Sequence, residues 1–141
     1  MKKKKLLIAV AAAVILLGLV FQSTLVRGYV LLARNPLESY AEKQLESPVR
    51  IDSRYGPWKT SSYPEAGMVE FLTGGSGLAP SSAYQGFYYS ANNTHKVFSA
   101  ACGGAISMEV SGDHAVWDDG TDNHGTSLRL AKNWFWFEAF F

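Results

Sequence analysis

MKKKK precedes LLIAVAAAVILLGLVF, an unbroken apolar run of 16 residues from Leu6 to Phe21. Gln22, Ser23 and Thr24 are polar but uncharged, so Leu6 to Val26 is 21 residues without a charge. As a helix this segment would be about 31 Å long, against a bilayer hydrocarbon core of roughly 30 Å. The pattern predicts a transmembrane signal anchor over 6–26 with the lipid bilayer as its partner. Lys2, Lys3, Lys4 and Lys5 hold residues 1–5 in the cytoplasm, and the rest of the chain follows on the other side. Arg27 and Arg34 weaken that asymmetry without reversing it. A cleaved signal, releasing a secreted protein, is the competing reading. It needs small residues at −3 and −1 of a cut. Cutting after Ser23 puts Phe21 at −3, and cutting after Gly28 puts Val26 there. No cysteine lies near the run, which rules out a lipoprotein box.

Beyond the run the pattern changes twice. The helix is expected to continue through GYVLLAR to Asn35-Pro36, because a residue before proline disfavours the α region. Asn35 can then cap a second helix, with Pro36 in its first turn and Glu38 reaching back. In PLESYAEKQLE, Leu37, Tyr40, Ala41 and Leu45 share one face. Residues 27–47 therefore read as a helical juxtamembrane stalk whose apolar face packs on the following domain or along the membrane surface. From Pro48 the period becomes that of a strand. VRIDSRY, MVEFL, AYQGFYYS, HKVFSAA, AISMEVS, HAVW, TSLRLA and WFWFEAFF are short β-type runs separated by Gly, Asn, Asp and Pro clusters. The fold class is mainly β: residues 48–141 should form a small antiparallel β-sandwich or open barrel. Lys132-Asn133 should turn TSLRLA into a hairpin with WFWFEAFF, the closing strand. Its Phe135, Phe137, Ala139 and Phe141 face should be buried, and its Trp134, Trp136, Glu138 and Phe140 face half exposed.

The chemistry-bearing motifs are sparse. Asp118, Asp119, Asp122 and Asn123 in DDGTDNHG carry oxygen ligands suited to calcium. Gly120 and Arg129 break the helix-loop-helix calcium spacing, and Asp, Asn and Gly also suit a hairpin loop. TGGSGLAPSS lacks the Lys-Ser/Thr ending of a phosphate loop and reads as a flexible connection. Cys102 is the only cysteine, which excludes an intrachain disulfide and a multi-cysteine zinc site. Its small neighbours, SAACGGA, suit an inert packed cysteine; a Cys/His hydrolase or transferase using His95, His114 or His124 is the remote alternative. An anchored β-domain with Cys, His and Arg129 invites comparison with sortases. The Thr-Leu-x-Thr-Cys motif is absent and the domain is too short, which excludes them. No metal and no cofactor is predicted. Eight Lys/Arg against twelve Asp/Glu follow Gly28, a balance of −4 that argues against nucleic acid as a partner.

Sixteen Phe, Tyr and Trp residues lie between Pro48 and Phe141. Aromatic rings fill small β cores, but exposed ones bind proteins or stack on sugars. Trp58, Tyr88, Trp117, Trp134, Trp136 and Glu138 are the candidate binding residues on that reasoning. YGPWKT, GMVEFLTGGSGLAPSSAYQGFYYS and NHGTSLRLAKNWFWFEAFF resemble segments of small, uncharacterised, signal-anchored proteins of Gram-positive bacteria. The resemblance spans most of 48–141 and implies membrane attachment, without implying an activity. The sequence therefore points to a membrane-anchored, non-enzymatic module outside the cytoplasm that binds a protein or envelope component, with a carbohydrate-binding module for cell-envelope glycan as the alternative.

Overall fold

The computed structural model describes residues 6–11, 13–14, 17, 21–78, 81–97 and 106–141, apart from the side chains of 76–78 and 81. Two helices, α1 (Gln22–Leu32) and α2 (Arg34–Leu45), precede eight strands. These are β1 (Asp52–Tyr55), β2 (Trp58–Tyr63), β3 (Met68–Leu78), β4 (Ser81–Ser90), β5 (Ser107–Ser111), β6 (His114–Asp118), β7 (His124–Ala131) and β8 (Trp134–Phe140). All eight belong to one open sheet in the order β1-β2-β3-β4-β8-β7-β6-β5, antiparallel throughout. Two four-stranded meanders thus meet at a single seam, β4 against β8. The predicted β class holds, and helices rather than a second sheet cover one face.

That face carries Val69, Phe71, Phe87, Tyr89, Leu130, Trp134 and Trp136, packed against Val30 of α1 and Leu37 and Ala41 of α2. Phe71 and Phe87 stack at 4.7 Å between centroids, the closest ring pair in this layer. The face of α2 predicted from its spacing is the one that packs: Leu37 and Ala41 are buried, Tyr40 and Leu45 half-buried. Residues expected as a stalk therefore contribute to the core. The break between the helices comes at Ala33, two residues before the predicted boundary, and Ala33 rather than Asn35 is the N-cap of α2. Glu38 does not reach back to cap; it pairs with Arg34 at 3.3 Å. An i, i+4 ion pair one turn earlier outcompetes the capping box.

The opposite face holds a second cluster of Met68, Tyr88, Trp117, Phe135, Phe137 and Ala139. β8 is consequently buried on both sides from Trp134 to Phe137. The predicted half-exposed face is corrected at its first two positions, where Trp134 is 0% and Trp136 4% exposed because α1 and α2 cover them, whereas Glu138 is half-buried and Phe140 39% exposed. The predicted hairpin with β7 is present, with Asn133 at φ +70° in its turn. Asn133 also donates from Nδ2 to Ser90 O (2.8 Å) and Ala91 O (3.1 Å), tying this turn to the end of β4.

Two further corrections concern local structure. TGGSGLAPSS is not a loose connection: β3 runs to Leu78 and pairs with β4 through Leu78↔Ser81. WKTSSY forms β2, which the sequence pattern did not announce, whereas the described residues of HKVFSAA form no strand. The N-terminal run is helical where described, with a turn at Phe21 before α1. Among the described residues no helix is long and apolar enough to cross a membrane, so the predicted span over 6–26 is not seen as one element. Residues 12, 15, 16 and 18–20 of that span, and Cys102, lie outside the described residues.

Candidate functional site

Two of the concavities among the described residues lie beside the Gly-rich arm of β3, and a third of about 480 Å³ lies between Pro48–Arg50 and Tyr63–Ala66. β3 bulges between Leu72 and Gly74, and Gly74 and Gly75 then oppose Gln85 and Tyr84. Thr73 Oγ1 donates to Gln85 O across the bulge at 3.3 Å. Two glycines without side chains leave a depression on each side of the sheet.

On the face away from the helices, Arg54, Lys59, Thr73, Ser82 and Tyr84 line a cleft of about 440 Å³. The tight turn Gly56-Pro57, with Gly56 at φ +57°, folds β1 onto β2 so that Arg54 sits directly opposite Lys59. Two exposed cations thus share one side of the cleft. Arg54 Nη2 makes a long contact to Pro57 O at 3.4 Å, and among the described residues neither cation has an ion-pair partner. Like charges side by side repel weakly in water, and an anion placed between them relieves that repulsion. Hydroxyls of Thr73 and Ser82 and the half-buried ring of Tyr84 complete the lining. The helix-side cleft, about 430 Å³, is lined by Gln85, Glu138 and Phe140 and carries the opposite sign. Glu138 Oε1 there accepts from Trp136 Nε1 at 3.3 Å.

The residues singled out from sequence are dispersed. Tyr88, Trp117, Trp134 and Trp136 are buried core rings, on both faces, and offer no free face to a sugar. Trp58 is half-buried, edge-on to Tyr29 and Phe87 at 5.0 and 5.1 Å. Glu138 alone lines one of these clefts. The loop that carries Asp118, Asp119, Asp122 and Asn123 is tied by hydrogen bonds within itself. Asp119 Oδ1 accepts from Thr121 Oγ1 at 2.5 Å and Oδ2 from Asn123 Nδ2 at 2.7 Å, and Asp118 Oδ1 accepts from Gly120 N at 3.1 Å. These bonds hold the Asp119 carboxyl below the usual carboxylate range, with the Thr121 hydroxyl the larger cause. Among the described residues no group of three or more His, Cys, Asp or Glu side chains is placed to hold a metal. Arg54, Lys59 and Tyr84 escaped the sequence reading; the Gly-Pro pair after Tyr55 was the available signal, since a two-residue hairpin loop brings Arg54 beside Lys59.

A serine and a histidine do meet. His95 Nδ1 lies 2.9 Å from Ser127 Oγ, which lies 2.7 Å from Tyr88 Oη. Lys96 N donates to the same Tyr88 oxygen at 2.9 Å. Ser127 is 2% exposed, so its hydroxyl is closed to a substrate, and the chain of bonds braces the crossover that leaves β4. Burial pushes Tyr88 up to about 12. Burial first, and the Arg129 guanidinium second, lower the His95 pKa below its usual value. Both groups pack on Phe135, at 4.8 Å and 4.7 Å. The unfolded chain therefore binds a proton on His95 at a pH where the folded chain does not. Stability from this site is complete above about pH 6.5 and is lost as pH falls through the lower folded value. The thermal midpoint of the wild type should fall more between pH 7.5 and pH 5 than that of His95→Gln; equal falls would refute this.

No protein-family model matches the chain, and no curated protein or solved structure shows significant similarity to it.

Proposed function

We propose that the chain is a membrane-anchored, non-enzymatic binding module whose β-domain lies outside the cytoplasm. One observation carries the anchoring. Leu6, Leu7, Ile8, Val14 and Leu17 are 66, 72, 69, 62 and 56% exposed, so the sheet does not cover these described residues of the apolar run. A contiguous run of that size left in water is strongly unfavourable, and a lipid phase removes the penalty. This favours an anchor over a helix buried in its own domain. Arg27 supports a defined joint between run and domain: Nε donates to Leu130 O at 2.9 Å and Nη2 to Arg129 O at 3.2 Å. The full chain should stay in the membrane pellet after an alkaline carbonate wash. Leu17→Lys should move a substantial fraction to the supernatant, because a central lysine disfavours insertion by about 3 kcal/mol. Complete recovery of the unmodified chain in the supernatant would sink the reading.

The paired cations favour a more specific ligand, an anionic polymer of the cell envelope. Arg54 and Lys59 supply charge, and Thr73, Ser82 and Tyr84 supply the hydroxyl and ring contacts that sugars use. Full chain in mild detergent should bind a polyanionic envelope glycan, with Lys59→Glu weakening it about tenfold, the effect of roughly 1.4 kcal/mol. Equal binding of a neutral glycan, or no effect of the substitution, would remove the cleft as the site.

A further inference from the structure

We infer that the free edge of β1 is a self-recognition strand, pairing antiparallel with β1 of a second copy of this chain. β1 is one of the two edges of the open sheet. Ser62 N donates to Ile51 O at 2.9 Å, and Ile51 N donates to the Ser62 hydroxyl at 2.9 Å, so Ile51 turns its backbone groups towards β2. Backbone direction alternates along an antiparallel strand. The N–H and C=O groups of Asp52 and Arg54 therefore point outward, and both residues are exposed.

A second strand can use those groups only in a register that pairs outward-facing residues with each other. Within the strand three such registers exist. Centring the two-fold on Asp52 opposes carboxylate to carboxylate. Centring it on Arg54 opposes guanidinium to guanidinium. Centring it on Ser53 opposes Asp52 to Arg54 of the second copy, twice, with four backbone hydrogen bonds between them. The same register places Ile51 against Tyr55 of the other copy on the helix side, again twice. Opposite charges and an apolar–aromatic pair are the favourable cross-strand combinations, and like charges the unfavourable ones. The sequence Ile-Asp-Ser-Arg-Tyr is thus complementary to itself read backwards.

Charge at Asp52 is already secured within the chain. Ser61 Oγ donates to Asp52 Oδ1 at 2.7 Å and Arg50 Nε at 3.0 Å, and these two bonds, the first the larger, keep its carboxyl below the usual range. A carboxylate so held is ionised at neutral pH, where the Arg54 guanidinium of the second copy would meet it. Charged edges ordinarily repel a passing strand. Here the same charges reject a mismatched partner and admit a copy of this chain. The interface is small, so the pairing is weak in solution and gains from concentration on one surface. It shares Arg54 with the ligand cleft but not Lys59, so Lys59→Glu should weaken glycan binding and leave the trapped dimer unchanged.

Disulfide trapping tests the register. Opposed residues of a non-hydrogen-bonded antiparallel pair have Cα atoms about 4.5 Å apart, within reach of a disulfide. In full chain carrying Cys102→Ser, Ser53→Cys should give a covalent dimer on mild oxidation, whereas Lys132→Cys in the β7–β8 turn should not. Adding Asp52→Arg, or separately Arg54→Asp, opposes like charges and should cut the trapped fraction at least about fivefold. Combining the two exchanges restores opposite charges and should restore the trap, an outcome that misfolding of either single variant cannot produce. Trapping that ignores both single reversals, or a double exchange that stays untrapped, would overturn the proposal. So would the absence of a dimer in the Ser53→Cys chain, or equal trapping through Lys132→Cys.

Discussion

A chain ending at Asn133 should show no cooperative thermal transition. Removing residues 134–141 takes out β8, which pairs with β4 from Ala83↔Phe140 to Tyr89↔Trp134 and with β7 from His124↔Phe140 to Ala131↔Trp134. Among the described residues the β4–β8 seam is the only strand pairing between the two meanders, so β1–β4 and β5–β7 lose their connection. Both core layers fail together. Trp134 and Trp136 leave the helix side, and Phe135, Phe137 and Ala139 leave the other. Truncating a single buried Phe or Trp to Ala costs about 3–5 kcal/mol. Four such rings exceed the roughly 5–15 kcal/mol by which a domain is stable. Differential scanning calorimetry and near-ultraviolet circular dichroism on the truncated chain measure this directly. A transition at the wild-type temperature would mean that β8 is dispensable, and the sheet order would then be wrong. Trp134→Ala alone should lower stability by about 3–5 kcal/mol without abolishing the transition.

Strand identity was largely legible because polar and apolar residues alternate in β5 and β6 and because Gly, Asn and Asp punctuate the chain. β2 was not, and its neighbours explain why. Thr60 and Ser62 occupy the inward positions, and burial there is made tolerable by partners distant in sequence. Thr60 Oγ1 meets Tyr40 Oη at 2.7 Å, and Ser62 Oγ receives Ile51 N. A polar residue whose partner lies on another element looks like a loop residue from sequence alone. The Gly-rich arm of β3 misled for a related reason. Glycine weakens a strand in isolation, but pairing with β4 across the whole arm holds it.

Burial of β8 was half legible. Alternation gives two faces and says which residues share each, but whether a face is covered depends on what packs there. The covering elements are α1 and α2, and their position relative to the sheet is a long-range matter. The same holds for the site. Tyr88, Trp117, Trp134 and Trp136 were chosen for ring chemistry, and that chemistry suits a core as well as a ligand. Arg54 and Lys59 carry no motif; only the hairpin register between β1 and β2 makes them a pair.

Gly86→Ala, a change of one methyl group, should destabilise the domain by about 3 kcal/mol or more, at the upper end of overpacking effects. A Cβ built at Gly86 would lie 2.1 Å from Phe71 O, 3.1 Å from Phe71 C and 3.0 Å from the Phe137 ring. The first two atoms are backbone of the neighbouring strand, so no side-chain rotation relieves the contact. β3 approaches this closely because its bulge between Leu72 and Gly74 begins beside Gly86. Phe137 meanwhile lies over the glycine from β8, filling the space that a side chain would otherwise occupy. Gly28 in α1 gives the contrasting case. Nothing lies within 4 Å of a Cβ there, and the residue is exposed. Gly28→Ala should stabilise the helix by about 0.5–1 kcal/mol through the unfolded chain alone. The two substitutions are chemically identical and are expected to move the urea midpoint in opposite directions. If both stabilise, β3 and β4 do not approach at Gly86 as described, and the bulge that opens the two clefts is misplaced.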